Sequence, residues 1–310
     1  GQTVTAYAEI DLEKLQAERL QNNNIQTAED ADDFKISFRL ESNNFSAERI
    51  FPRHPFIPTD KNELSQRCEE ILSIQSVALA RRLETLRYPK VVIGLSGGLD
   101  STLALLVALR AVKLLGLPAK EKILPLTMPG FGTTQMTLGA VKELCEILGF
   151  SNLREIDIKD ISTKMFDMIN HNPQDYDVTY ENVQARARTY LLMSTANKEN
   201  GIVVGTGDLS EIALGWSTYN GDHMSMYNVN CGVPKSLIPY LIHYEALKTE
   251  NENIKDTLQK IVDFPISPEL LPPGADGKEI LQKTEEKIGP YELHDFFLYY
   301  FARFGFSPEK

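Results

Sequence analysis

The stretch VVIGLSGGLDS, Val91 to Ser101, decides the fold. An apolar run ends in Ser96, two glycines, Asp100 and Ser101. It reads as a strand that turns tightly into the helix STLALLVALRAVKLL. Gly97 and Gly98 let the backbone point amides at an anion, and the helix adds its positive end. Ser96 and Ser101 can donate hydroxyls to phosphate oxygens. Asp100 would repel a phosphate, so its natural partner is Mg²⁺, which takes carboxylate and phosphate oxygens together. A bare strand-to-helix turn capped by Asp100 would need neither two glycines nor two serines.

Other nucleotide signatures fail. Gly277-Lys278 is followed by Glu279, so no G-x-x-x-x-G-K-[ST] loop exists. After Gly205-Thr206-Gly207, Ser210 stands where G-x-G-x-x-G needs its last glycine. Kinase-type loops and standard dinucleotide folds are disfavoured.

Outward from Val91 the chain alternates. Asp60, with Glu63 three residues on, opens a helix that keeps helical spacing to about Leu86. Strands KVVIGL, KILPLTM, NLREIDI and GIVVGTG alternate with helices, the longest from about Tyr180 to Lys198. The pattern predicts an α/β fold, a doubly wound, mainly parallel sheet with helices on both faces. Extra helices follow from about Pro234, broken at PISPELLPPGADG. Residues 1–59 read differently. They hold a short strand and helix in AEIDLEKLQAERL, a candidate strand FKISFRL and an extended linker FPRHPFIPTD. They carry too few apolar residues for a core of their own.

The 310 residues are 42% hydrophobic and carry a net charge of −11. That argues against a protein built to coat nucleic acid or an anionic membrane. No apolar run reaches the ~18–20 residues of a membrane helix. Three unpatterned cysteines, Cys68, Cys145 and Cys231, suggest a reducing, cytoplasmic setting. The five histidines form neither metal-ligand spacing nor a nucleophilic triad.

The SGGLDS loop resembles the pyrophosphate loop of the ATP pyrophosphatase superfamily, whose members cleave ATP beside the α-phosphate and adenylate a substrate. The loop alone does not choose among them. LPLTMPGFGTT, DVTYENVQARART, GIVVGTGDLSEIALGWSTYNGDHMSMYNVNCGVPKSLI and ISPELLPP together resemble the synthetase domain of bacterial glutamine-dependent NAD synthetases. The resemblance runs from about Asp60 to the C-terminus. AEIDLEKLQAERL resembles the last segment of the nitrilase-like glutaminase domain that precedes it in that family. The expected organisation is a glutaminase remnant and linker over 1–59, then a synthetase domain over 60–310 truncated at its C-terminus.

The resemblance implies that nicotinic acid adenine dinucleotide, ATP and ammonia give NAD, AMP and pyrophosphate. It implies Mg²⁺, a homodimer, and a glutaminase domain as partner in the intact protein. By family position, Gly94, Leu95, Ser96, Gly97, Gly98, Leu99, Asp100 and Ser101 would hold the ATP phosphates, Thr206 would donate to ATP, and Met128 would border the adenine. Asp100 and Glu211 would bind Mg²⁺ and carry catalysis. Asn182 and Arg186, four apart on one helix, would contact the deamido dinucleotide; Arg188 would point elsewhere. Trp216, Ser217, Thr218 and Tyr219 would line the substrate pocket, with Trp216 either stacking on a ring or packing in the core. Asp222 and Lys235 would either contact substrate or ATP, or stabilise their loop; His223 lies in the same loop. The rival readings are another amide ligase of the superfamily, and a nucleotide-binding domain inactive for want of its C-terminal segment.

Overall fold

The computed structural model describes residues 3–6, 10–22, 36–37, 50–264, 270–271 and 284–307. In chain order the elements are α1 (Leu12–Gln21), α2 (Lys61–Thr85), β1 (Lys90–Gly94), α3 (Leu99–Leu114), α4 (Ala119–Lys122), β2 (Ile123–Thr127), α5 (Gln135–Ile147) and β3 (Arg154–Glu155). There follow α6 (Lys159–Met168), α7 (Val178–Lys198), β4 (Gly201–Gly205), α8 (Leu209–Leu214), β5 (Tyr227–Asn228), α9 (Ile238–Lys248), α10 (Glu252–Val262), α11 (Thr284–Ile288) and α12 (Tyr291–Phe297).

The five strands lie in the order β3-β2-β1-β4-β5, all parallel. β1 is central, with Val92 beside Leu124 of β2 and Val203 of β4. Both faces are covered, so the strands are apolar throughout. Val91 and Ile93 turn to one face, where α2, α3 and α9 pack. Val92 turns to the other, beneath α7. This is the doubly wound sheet expected from the alternation. α3 is buried from Leu103 to Ala108, as befits a helix apolar on most sides. Asp60 caps α2 as expected, its carboxylate accepting from the amides of Asn62 and Glu63 at 3.0 and 2.9 Å.

Three elements differ from expectation. β3 is only two residues long, because NLREIDI lies at the exposed sheet edge and pairs on one side alone. β5, unannounced by any apolar run, extends the other edge beside Val204 and Gly205. The linker around Phe51 and Phe56 is more than a connection. Phe51 sits edge-on to Tyr300 and Phe306, and Phe56 edge-on to Tyr299, so it seats the π-helical turn Leu298–Arg303. Most of the candidate strand FKISFRL and most of PISPELLPPGADG lie outside the described residues. Among the described residues no helix is long and apolar enough to cross a membrane.

The sheet grows from β1 first towards β3 and then, by way of β4, towards β5. That reversal opens a crevice beyond the carboxyl ends of β1 and β4, where ligands of such sheets bind.

Candidate active site

A cavity of about 590 Å³ fills this crevice. Its floor is the Gly94–Ser101 loop. Ser96 Oγ accepts from the Gly98 amide at 3.2 Å and lies 3.2 Å from Ser101 Oγ. Ser101 in turn donates to the Gly98 carbonyl at 3.2 Å. The two serines therefore brace the turn as well as edging the cavity. Gly97 has φ +87°, and a Cβ there would lie 2.6 Å from the Thr137 carbonyl of α5. Only glycine fits, on conformation and on space. Leu95 and Leu99 send their side chains into the core, so they face the cavity through backbone.

Beside the loop stands an acidic centre. Asp100 opens α3, Asp208 caps α8, and Glu211 lies in the first turn of α8. Each offers a carboxylate oxygen within 4.8 Å of the others. Lys235 places its ammonium among them, Nζ lying 2.8 Å from Asp100 Oδ2, 2.6 Å from Asp208 Oδ2 and 2.7 Å from Glu211 Oε1. The lysine side chain is 2% exposed and that of Asp208 not at all. Tyr291 of α12 lays its ring 5.3 Å from Nζ. Asp100 Oδ1 is buried without a hydrogen-bond partner among the described residues.

Three carboxylates around one ammonium leave an excess of negative charge, and protonation relieves part of it. Burial, and then the Asp100 charge, push the Glu211 carboxyl up to about 8 against the pull of Lys235. Burial pushes Asp208 up to about 6, with Lys235 opposing. Burial works against the charge of Lys235, but Asp100, Glu211 and Asp208 overrule it and hold the ammonium well above its ordinary range.

Two buried groups join the loops that carry these residues. Asn230, fully buried, donates from Nδ2 to the carbonyls of Asp100 at 2.9 Å and Thr206 at 3.0 Å. Asp295 of α12 accepts from the Ser236 amide at 2.9 Å and from Ser210 Oγ, which itself accepts from the Lys235 amide at 2.9 Å. Asp208, Asn230, Tyr291 and Asp295 escaped the sequence reading. Only for Asp208 was there a sequence signal, an acid in the cap position before α8.

The α7 wall shows which helix face matters. Val178, Glu181, Asn182, Ala185, Arg188, Thr189 and Leu192 line the cavity, a helical stripe centred on Ala185. Asn182 is on it, its Oδ1 buried without a partner among the described residues. Arg188 is on it too and donates from Nε to the Met128 carbonyl at 3.1 Å. Arg186 is not. It lies about 100° round the helix from Ala185 and donates to the Tyr219 carbonyl at 3.0 Å from the exposed side. Of the two arginines it is Arg188, expected to point elsewhere, that shares the cavity wall with Asn182.

The remaining wall is the loop after α8. Trp216, Ser217, Thr218, Tyr219, Asp222 and His223 all edge the cavity, as do Met128 and Thr206. Trp216 is half-buried, while Tyr219 is 72% exposed. Asp222 accepts from the Thr218 amide at 2.9 Å and from its hydroxyl, and His223 Nδ1 lies 2.9 Å from the Thr218 carbonyl. Of the two roles open to Asp222, these bonds display the stabilising one. Gly221 lets the loop approach α7, since a Cβ there would meet Ala185 Cβ at 2.8 Å. Lys235 is the centre of the acidic cluster as well as a lining residue.

Comparison with known proteins places this arrangement. The glutamine-dependent NAD(+) synthetase of Mycobacterium leprae is 46% identical over 319 residues, covering 98% of this chain and 46% of the relative. The chain thus spans about half the length of the curated relatives it matches. A glutamine-dependent NAD+ synthetase from Acinetobacter baumannii, solved in complex with ADP, superposes with a TM-score of 0.57 at 28% identity, over 65% of this chain and 37% of that one. An NMN synthetase from Francisella tularensis gives 0.60 at 26% identity, over 74% and 85%. The family model described as NAD synthase matches residues 72–303, from within α2 to the end of the π-helical turn. With the phosphate-type loop, the acidic centre and the crevice all inside that span, the chain belongs to the NAD synthase family.

Proposed function

We propose that this chain amidates nicotinic acid adenine dinucleotide to NAD at the expense of ATP, releasing AMP and pyrophosphate, with ammonia as the nitrogen donor. The observation that carries this reading is the meeting of the SGGLDS loop with Asp100 and Glu211 in one crevice. A carboxylate is a poor acylating agent. Attack of the nicotinate oxygen on the α-phosphate forms a mixed anhydride with AMP and expels pyrophosphate. Ammonia then adds to the acyl carbon, AMP leaves, and the amide remains.

The first step brings an anion to an anion, so charge neutralisation is the main need. Carboxylate oxygens from Asp100, Asp208 and Glu211 converge, and Asp100 Oδ1 is unpartnered among the described residues. This all-oxygen set fits a hard divalent cation such as Mg²⁺. Asp100 and Glu211 would hold it, and it would supply charge neutralisation at the phosphates. The loop amides, with the Ser96 and Ser101 hydroxyls, would orient the departing pyrophosphate. Thr206 and Met128 would position the nucleotide, while Asn182, Arg186 and the Trp216–Asp222 loop would receive the dinucleotide. Ammonia arrives as a free amine, so no histidine base is required.

The resemblance at 46% identity to an enzyme twice as long supports reading residues 1–59 as the end of a preceding glutaminase domain. We further place the protein in the cytoplasm as a homodimer. The Francisella neighbour favours a second reading, amidation of the mononucleotide. Incubation with ATP, Mg²⁺, ammonium and either acid substrate separates the two. The dinucleotide is expected to yield NAD and one AMP per NAD. Release of ADP overturns the adenylation route, and faster turnover of the mononucleotide overturns the substrate assignment. Glutamine is expected to fail as nitrogen donor for this chain alone.

A further inference from the structure

Lys235 stands where a metal ion would stand. Its Nζ is within 2.8 Å of an oxygen from each of the three carboxylates that could ligate a divalent cation. One point cannot hold both cations. The backbone around Lys235 is fixed, its amide donating to Ser210 Oγ and the next amide to Asp295. The mobile part is therefore the four-carbon stem. Lys235 also borders the cavity, so an open volume lies beside this residue.

We propose that Lys235 is the resident counter-cation of the acidic centre. It holds three crowded carboxylates together in the ligand-free protein, and it yields its place when a divalent cation enters. The centre then has two exclusive states, ammonium-in and metal-in. Without either cation, Asp100, Asp208 and Glu211 would repel one another in a site where Asp208 has no solvent exposure. The lysine spares the fold a dependence on metal, and its displacement sets the affinity at which metal binds. This inference rests on the reading of Asp100 and Glu211 as metal ligands.

Two measurements without nucleotide test it. The first is Mn²⁺ binding by electron paramagnetic resonance, with melting in EDTA and in excess Mg²⁺. Lys235→Met is expected to melt lower than the wild type in EDTA, to recover with Mg²⁺, and to bind Mn²⁺ about tenfold more tightly or better. Equal Mn²⁺ affinity in variant and wild type overturns the proposal. The second uses the wild-type chain alone, so it stands even if the variant does not fold. Amine labelling read by mass spectrometry is expected to leave Lys235 unreacted in EDTA and to modify it several-fold faster at saturating Mn²⁺. Unchanged labelling overturns the proposal. Asp100→Asn distinguishes the underlying reading: if it binds Mn²⁺ as well as the wild type does, the metal assignment itself is wrong.

Discussion

The side-chain amide of Asn230 donates to the backbone carbonyl of Asp100 at 2.9 Å, across 130 residues of sequence. The same nitrogen reaches the Thr206 carbonyl, and Asn230 Oδ1 accepts from Gln75 Nε2 of α2 at 3.2 Å. One buried side chain therefore fixes the distance between the β1 and β4 loops, and with it the width of the crevice. Asn230→Ala leaves two buried carbonyls short of a donor, each worth about 1–3 kcal/mol. The denaturant midpoint is expected to fall accordingly, and kcat to fall with it as Asp100 and Thr206 lose register. Asn230→Asp turns an acceptor towards two carbonyls and is expected to be worse. Stability unchanged within ~0.5 kcal/mol would show that the bridge holds nothing.

Gly97→Ala tests the loop itself. The added methyl must face the Thr137 carbonyl at 2.6 Å while the backbone keeps a φ of +87°. Strain of this kind costs about 1–3 kcal/mol. The sheet does not depend on the turn, so the fold is expected to survive. The stabilisation that ATP gives in a melting experiment is expected to disappear, because the loop amides no longer converge. Undiminished stabilisation would remove the loop from nucleotide binding.

The sheet was legible because a parallel strand buried on both faces must be apolar without interruption, as in VVIGL and GIVVG. The glycine turn after β1 was legible because few other residues bend that way. Asp208, Asn230 and Lys235 were harder. Each is a polar residue next to a loop, and solvent is the default for such residues. Their burial is decided by partners brought from α3, α8 and α12, which no local pattern records. The phase of α7 was hidden for a similar reason. It shows only in what the helix packs against, Tyr180 and Val183 in one cluster and Ala187 and Ala196 in another, with Gly221 close to Ala185. The linker near Phe51 shows the same thing at the other end. Its aromatics have meaning only beside Tyr299 and Tyr300.

Acid stability is expected to depend on Glu199 at the end of α7. Its carboxylate accepts from Lys90 Nζ and from Arg154 Nη2, both at 2.7 Å, tying β1 and β3 to α7. The Lys90 hydrogen bond, then that from Arg154, hold it down at about 2. A depressed carboxyl stabilises the fold above its unfolded value, ~4.3, and loses that contribution as pH falls towards 2. Glu199→Gln is expected to lower stability at neutral pH and to flatten the melting-temperature curve between those limits. A variant curve parallel to the wild type would show that Glu199 is not the titrating group.

Arg186 and Arg188 separate family position from observed geometry. Arg188 lies on the cavity stripe of α7 and holds the end of β2 through the Met128 carbonyl. Arg186 meets the Tyr219 carbonyl from the exposed face. Losing a charged donor within the cavity costs about 1.5–3 kcal/mol, which is roughly tenfold or more in affinity. Arg188→Ala is therefore expected to raise the KM for ATP by about that factor. Arg186→Ala removes one contact on an exposed loop and is expected to change the ATP KM less than about twofold. Its effect, if Arg186 serves the dinucleotide, appears in that substrate's KM alone. Measuring both constants for both variants settles the matter: an ATP KM that rises more for Arg186→Ala than for Arg188→Ala would show that the ligand-bound helix presents a different face.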